Sequence, residues 1–243
     1  MKLGNRTSLL GAALALALTI GGAALAREAP TMTVAVIDFT NQTSSANWWN
    51  GDVGNQLADV LSNELSATGD FKVVERQKID AVLAEQDLAA SSRMRPGSTP
   101  HTGNVTGAQY LVTGSVAAYT EDTSNTGGGV NIAGFRVGGG KSEAYIAIDL
   151  RVIDAETSEV VYSRTVEGHS SSGGVNLRGF VSGVGGDFAH NKKTPASKAV
   201  RAALIEASDY LDCVMVKRDG CEANYQKKEQ HRRDNDKKVL DLD

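Results

Sequence analysis

Cysteine is scarce in this sequence: there are two, Cys213 and Cys221, both near the end. No C-x-x-C spacing or nearby histidine accompanies them, which argues against a structural zinc site. A close pair in an oxidising compartment predicts a disulfide between the last long helix and the tail; two free thiols or half a metal site are the alternatives. Also missing is an apolar run long enough for a comfortable transmembrane helix, since the one at the start, Leu9 to Ile20, is too short and wrongly flanked. There is no excess of positive charge, the formal net charge being −4, so nucleic acid is not an expected partner. Nor is there a catalytic constellation. His101, His169, His190 and His231 are scattered through polar stretches without ligand spacing or a paired nucleophile, and each reads as a solvated surface residue. Carboxylates lie mostly on helix faces and in the tail, and no pair stands out as general acid and base. Gly139-Gly140-Lys141-Ser142 imitates the end of a phosphate loop, but Phe135 occupies the place of the first glycine and a strand pattern follows. The sequence therefore gives no reason to expect an enzyme, a metal or a cofactor.

The first 26 residues have the form of an export signal. Lys2 and Arg6 make the positive region, Leu9 to Ile20 the apolar one, and Ala24-Leu25-Ala26 a small-x-small site, so cleavage is expected between Ala26 and Arg27. No cysteine follows that site, and a lipid-anchored start is not expected. Loss of Lys2 and Arg6 leaves a mature chain of about 217 residues with a net charge of about −6, long enough for one sizeable domain.

The most distinctive feature is a repeat. Gly128-Gly129-Val130-Asn131-Ile132-Ala133-Gly134-Phe135 returns 45 positions later as Gly173-Gly174-Val175-Asn176-Leu177-Arg178-Gly179-Phe180. Both copies run on into further glycines. Two copies without a third exclude a solenoid. They leave a pair of equivalent excursions, which composition alone reads equally as flexible surface loops.

Around the repeat the pattern alternates between strands and helices. Thr33 to Phe39 is a β-branched run with the look of a buried strand. Asn41 to Asp52 reads as a polar loop that nevertheless holds both tryptophans, Trp48 and Trp49. Adjacent indoles lie against something apolar, either plugging the local core or forming a binding surface. Val53, Leu57, Val60, Leu61 and Leu65 recur at helical spacing up to Gly69. Phe71 to Arg76 reads as a strand, and Ile79, Val82, Leu83, Ala84 and Leu88 mark a second amphipathic helix. Ser91 to Gly103 is a loop, and Gly107 to Val116 leads into a strand that can continue to Tyr119. Ala144 to Asp154 alternates as a half-buried strand does, and Val160 to Val166 is its hairpin partner. Pro195 to Val216 is a helix with Val200, Ala203, Leu204, Ala207 and Leu211 on one face. The charged tail, 217–243, reads as a frayed helix or as disordered. The expected architecture is a two-layer α/β sandwich over residues 27–216 with long Gly-rich β-hairpin excursions at about 120–145 and 163–190.

Four segments carry a resemblance. They are Val34-Ala35-Val36-Ile37-Asp38-Phe39, Phe71-Lys72-Val73-Val74-Glu75-Arg76, Gly107-Ala108-Gln109-Tyr110-Leu111-Val112-Thr113-Gly114-Ser115-Val116, and the hairpin from Leu150-Arg151-Val152-Ile153-Asp154 to Val160-Val161-Tyr162-Ser163. Together they resemble the CsgG (curli secretion channel) family over roughly Thr33 to Val216. The resemblance implies an α/β periplasmic domain in a homo-oligomeric ring. Each subunit of such a ring gives two β-hairpins to a shared outer-membrane barrel, through which an unfolded secreted protein leaves with the help of accessory secretion proteins. It places Val130, Ile132, Phe135 and Val137, and Val175, Leu177 and Phe180 in the second copy, among the apolar positions of membrane strands. The family's loop after the first strand narrows the channel, which makes Trp48, Trp49 and Asn50 the constriction candidates here. The expected location is the periplasm, with insertion in the outer membrane through the hairpins. The alternative is a soluble periplasmic binding module, similar to the activator lipoproteins of peptidoglycan synthases, which share a related α/β domain.

Overall fold

The computed structural model describes residues 32–46, 48–95, 97–122, 130–132, 135–137, 143–171 and 194–240. A mixed sheet organises them. Strands β1 (Met32–Val36), β3 (Phe71–Val73), β4 (Tyr110–Asp122), β7 (Glu143–Asp154) and β8 (Val160–Ser171) lie in the order β3-β1-β4-β7-β8, and the short β2 (Thr40–Asn41) pairs beside β1 on β4. β3, β1 and β4 are mutually parallel, while β4, β7 and β8 are antiparallel. Two helices, α1 (Val53–Thr68) and α3 (Pro195–Leu211), pack on the sheet and on each other, so they form a single layer on one face. This is the two-layer α/β sandwich that the order of patterns implies.

The core lies between these layers. Leu57, Leu61 and Leu65, one helical turn apart on α1, are almost fully buried. They meet Val34, Val36 and Val112 of the parallel strands and Ile146, Ile148, Leu150 and Val152 of β7, together with Ala203, Leu204, Ala207 and Leu211 of α3. Burial of each of the larger side chains stabilises the fold by about 1.5–3 kcal/mol. The helix ends follow their local chemistry. Gly69 takes the left-handed conformation that closes α1, at φ 76°, and its N–H bonds to Ser66 O at 3.2 Å. At the start of α3, Thr194 Oγ1 accepts from Ser197 N at 3.2 Å and Pro195 occupies the first turn. Gly168 of β8 lets the α3 backbone approach, because a Cβ there would meet Ala199 and Ala203.

Two elements differ from expectation. The strand at Phe71 stops at Val73, with Val74 N making a last bond to Val34 O at 2.8 Å. The second helix, α2 (Ile79–Ala90), forms, but none of its residues is buried. Its periodicity mimics an amphipathic stripe, yet Leu88 lies about 140° around the helix from Leu83, so no single apolar face exists. The charged tail takes the helical one of its two expected forms where described, as α4 (Glu222–Leu240). A π-helical turn, Asp212–Lys217, extends α3, and the disulfide Cys213–Cys221 then ties it to the start of α4, with Cα atoms 6.0 Å apart.

Candidate functional site

The described strand ends that flank the two Gly-rich copies lie in one row of backbone. Asp122, the last residue of β4, pairs with Glu143, the first of β7, and Glu143 pairs on its other side with Ser171, the last of β8. The first copy joins the first two of these ends, and the second copy starts from the third. The second is also closed at its base, where Ser170 Oγ donates to Pro195 O at 2.6 Å. Beyond the row, the first copy forms a separate antiparallel ladder of β5 (Val130–Ile132) and β6 (Phe135–Val137). Val130 stands opposite Val137, Asn131 opposite Arg136, and Ile132 opposite Phe135. Apolar, polar and apolar pairs thus succeed one another along this ladder with the period of two that strands impose. Val175, Leu177 and Phe180, like Ala26 and Arg27, lie outside the described residues.

The tryptophan loop packs beside the same end of the sheet. Ser45 Oγ donates to Tyr119 O at 2.7 Å, and the Trp48 ring stands edge-on to the Tyr119 ring with centroids 5.3 Å apart. Trp49 follows at 5.8 Å from Trp48, and both indoles are half-buried against the core. Asn50 is exposed and shapes the turn into α1, its carbonyl accepting from Val53 N at 3.2 Å and its side chain from Asp52 N at 3.3 Å. Tyr119 also donates to Glu121 Oε2 at 2.7 Å, and burial with that carboxylate beside it holds its hydroxyl protonated well above the ordinary tyrosine range.

Sequence reading did not single out the cluster on the opposite face of the sheet near the row. Tyr145 donates to Glu167 Oε1 at 2.9 Å, and its ring lies 4.9 Å from that of His169. Burial pushes the Tyr145 hydroxyl far up, with Glu167 adding to the effect. His169 is exposed, as expected of a surface residue, but its ring also lies tilted against Tyr145, and partial loss of water there lowers its pKa against the opposing pull of Glu167. Only the strand register brings these side chains together, because Tyr145 and His169 are directly paired across β7 and β8.

The C-terminal helix is clasped to the outer strand. The Arg164 guanidinium of β8 lies against both the Tyr210 and Tyr225 rings, 5.2 and 5.1 Å from their centroids, the rings themselves meeting edge-on at 5.2 Å, and it donates to Tyr225 O at 2.8 Å. Lys228 adds an ion pair to Glu206 at 2.7 Å. Along α4, Arg232 bridges Glu229 and Asp236, one turn to either side. Among the described residues no group of three histidine, cysteine or carboxylate side chains is placed to hold a metal ion. A cleft of about 720 Å³ beside the start of α1 is open and of mixed charge, lined by Asp38, Asp52 and Asp59 against Arg76 and Lys78. No described helix is long and apolar enough to cross a membrane.

Comparison with known proteins decides the family. The model of the curli production assembly/transport component CsgG matches residues 18–240. The chain belongs to the CsgG family. The resemblance carried by its strand motifs is thereby borne out. A protein of Neisseria meningitidis serogroup B described as a lipoprotein is 30% identical to this CsgG-family chain over 161 residues, or 65% of the chain. The match spans just under two thirds of that relative, 66% of its length. Among solved structures, the PelC dodecamer of Paraburkholderia phytofirmans has a TM-score of 0.34 at 18% identity, over 72% of this chain and 83% of that one. A hypothetical protein of Chlamydia trachomatis scores 0.44 at 12% identity, over 75% and 96%. Family and lipoprotein relative together make this CsgG-family chain a periplasmic or outer-membrane module.

Proposed function

We propose that this CsgG-family protein is a homo-oligomeric, non-enzymatic secretion component whose two Gly-rich excursions enter the outer membrane as β-hairpins. The row formed by Asp122, Glu143 and Ser171 carries the reading. Three neighbouring strands end level there, and the duplicated segments continue from that end. The β5–β6 ladder supports the same view of the first copy, with β4 and β5 as its outgoing arm and β6 and β7 as its return. Val130, Ile132, Phe135 and Val137, and in the second copy Val175, Leu177 and Phe180, are the positions assigned to the lipid-facing side.

Two hairpins supply about four strands, whereas the smallest outer-membrane barrels use about eight and must close to leave no open edge in lipid. Closure therefore requires several copies. In such a ring an unfolded secreted protein passes through the centre, delivered by accessory secretion proteins. The loop holding Trp48, Trp49 and Asn50 occupies the place from which family members narrow the channel. Asn50 is exposed to solvent while the indoles hold the loop to the core. Transport of this kind needs a passage and a constriction rather than a reacting group.

Reconstitution in planar lipid bilayers tests the reading. The full-length protein is expected to give stepwise conductance, and a variant lacking 123–142 and 172–193 is expected to fold yet give none. A protein that binds partners in soluble form and conducts nothing would replace the channel with the soluble binding module.

A further inference from the structure

Strand β8 is an outer strand of the sheet, and its second edge is guarded rather than paired. Among the described residues its backbone makes no hydrogen bond beyond the ladder to β7. A long outer strand of this kind is a template on which another extended chain can pair. Helix α4 stands beside that edge. A cavity of about 300 Å³ lies between them, walled by Arg164, Thr165 and Glu167 of β8 and by Lys228, His231 and Arg232 of α4. Arg164 and Thr165 are successive residues and point to opposite faces of the sheet. A cavity that both of them line therefore runs along the edge of the strand and not over either face.

The cover is lightly fastened. α4 buries none of its residues and has no apolar stripe, so no core holds it down. Its contacts to the domain are the clasp of Arg164 and Tyr210 on Tyr225 and the Lys228–Glu206 ion pair, all within its first two turns. Beyond Lys228 the α4 side chains bond only to one another among the described residues, Gln230 to Asp234 and Arg232 to Glu229 and Asp236. The covalent tether, Cys213–Cys221, sits immediately ahead of the helix.

We infer that α4 is a hinged cover, and that the β8 edge beneath it takes an extended segment of an unfolded polypeptide as an added strand. Strand addition reads main-chain N–H and C=O groups and tolerates many side-chain sequences. An unfolded chain offers those groups unpaired, whereas a folded protein has already paired most of its own. On the reading above that chain is the secreted protein, held extended before it enters the passage; the inference rests on that reading for the identity of its guest.

The probe for the test is α-lactalbumin, reduced and carboxymethylated so that it stays unfolded, with the native protein as folded control. The full-length chain carries a photo-crosslinking residue at position 163, exposed on β8, or at position 87, exposed on α2, which follows the outer strand at the other side of the sheet. Adducts with the unfolded probe are expected at 163 and not at 87, and none with the folded control. Hydrogen exchange should show 160–169 newly protected in the complex while 222–240 exchanges faster. Tyr225→Ala removes the clasp without altering β8 and is expected to tighten binding of the unfolded probe about fivefold. Cys213→Ser with Cys221→Ser removes the tether and should act in the same direction. Equal crosslinking at 87 and 163, equal capture of the folded control, or a complex in which 160–169 gains no protection overturns the inference, and these three readings use no opening variant. Unchanged affinity in Tyr225→Ala overturns the role of α4 as a cover. A protein that conducts in bilayers but fails these tests loses this inference alone. One that captures the unfolded probe on β8 yet conducts nothing keeps the cover and its edge and loses the secreted guest.

Discussion

Gly168→Ala probes the contact on which the base of the second excursion depends. The β8 backbone at Gly168 runs against α3 so closely that an added Cβ would collide with Ala199 O and come within 2.8 Å of both Ala199 C and Ala203 N. These are backbone atoms inside a helix, so no side-chain rotation relieves the clash. Either α3 moves off the sheet or β8 bends. Overpacking of this kind costs typically 1–3 kcal/mol, and with rigid atoms on the far side the upper end, about 3 kcal/mol, is expected. For a domain near 200 residues each kcal/mol lowers the melting temperature by about 2–4 °C, so a fall of about 6–12 °C follows. Thermal unfolding followed by circular dichroism measures it, with Gly107→Ala as the control because a Cβ there meets nothing within 4 Å. Crystallographic or exchange data should also show the Ser170–Pro195 contact loosened. A melting temperature for Gly168→Ala within about 2 °C of the control would refute the account of β8–α3 packing.

Three further outcomes are expected. Reduction of Cys213–Cys221, which closes a loop of sequence separation 8, should destabilise by about 2.5 kcal/mol on chain-entropy grounds, and a free-thiol assay on the denatured, unreduced protein should detect none. Arg164→Ala removes two cation–π contacts and the bond to Tyr225 O, so hydrogen exchange should accelerate across 222–240 while α1 keeps its protection. Partial loss of water where His169 meets Tyr145 lowers its pKa, so around its ordinary value of 6.5 the unfolded chain binds the proton more readily than the native one. Stability attributable to His169 is therefore present above about pH 7 and lost as pH falls through 6.5 toward the depressed native value. Urea midpoints at pH 7.5 and 5.5 should differ less in His169→Gln than in the wild type, and an unchanged difference would remove His169 from that pH dependence.

Much of this architecture is legible in the residues themselves. Leu57, Leu61 and Leu65 define α1 by spacing, Gly69 ends it, and the alternation of Ile146, Ile148, Leu150 and Val152 marks the buried face of β7. These are local signals with a period, and the sandwich follows from their order. What escapes the sequence depends on who meets whom. Periodicity identifies α2 as a helix but says nothing of whether another element covers it, and its low-contrast pattern disguises apolar residues on two sides. The tail lacks apolar periodicity altogether. Its helix is supported by ion pairs one turn apart at Arg232 and by the Arg164 clasp, which joins residues 61 positions distant. His169 likewise reads as an ordinary polar residue until the β7–β8 register sets it on Tyr145. The level ends at Asp122, Glu143 and Ser171 are the clearest case. The duplicated segments are visible in the sequence, but that the strand ends flanking them lie in one row is a property of strand pairing.

The central claim is assembly in the outer membrane through the duplicated hairpins. Fractionation of cells expressing the full chain, followed by light scattering of the detergent-solubilised protein, tests it most directly. The account predicts that the protein is recovered from the outer-membrane fraction as one homogeneous species of many subunits, and that loss of 123–142 and 172–193 moves it to the soluble periplasmic fraction. A monomer found only in the soluble fraction, with both segments intact, would contradict it.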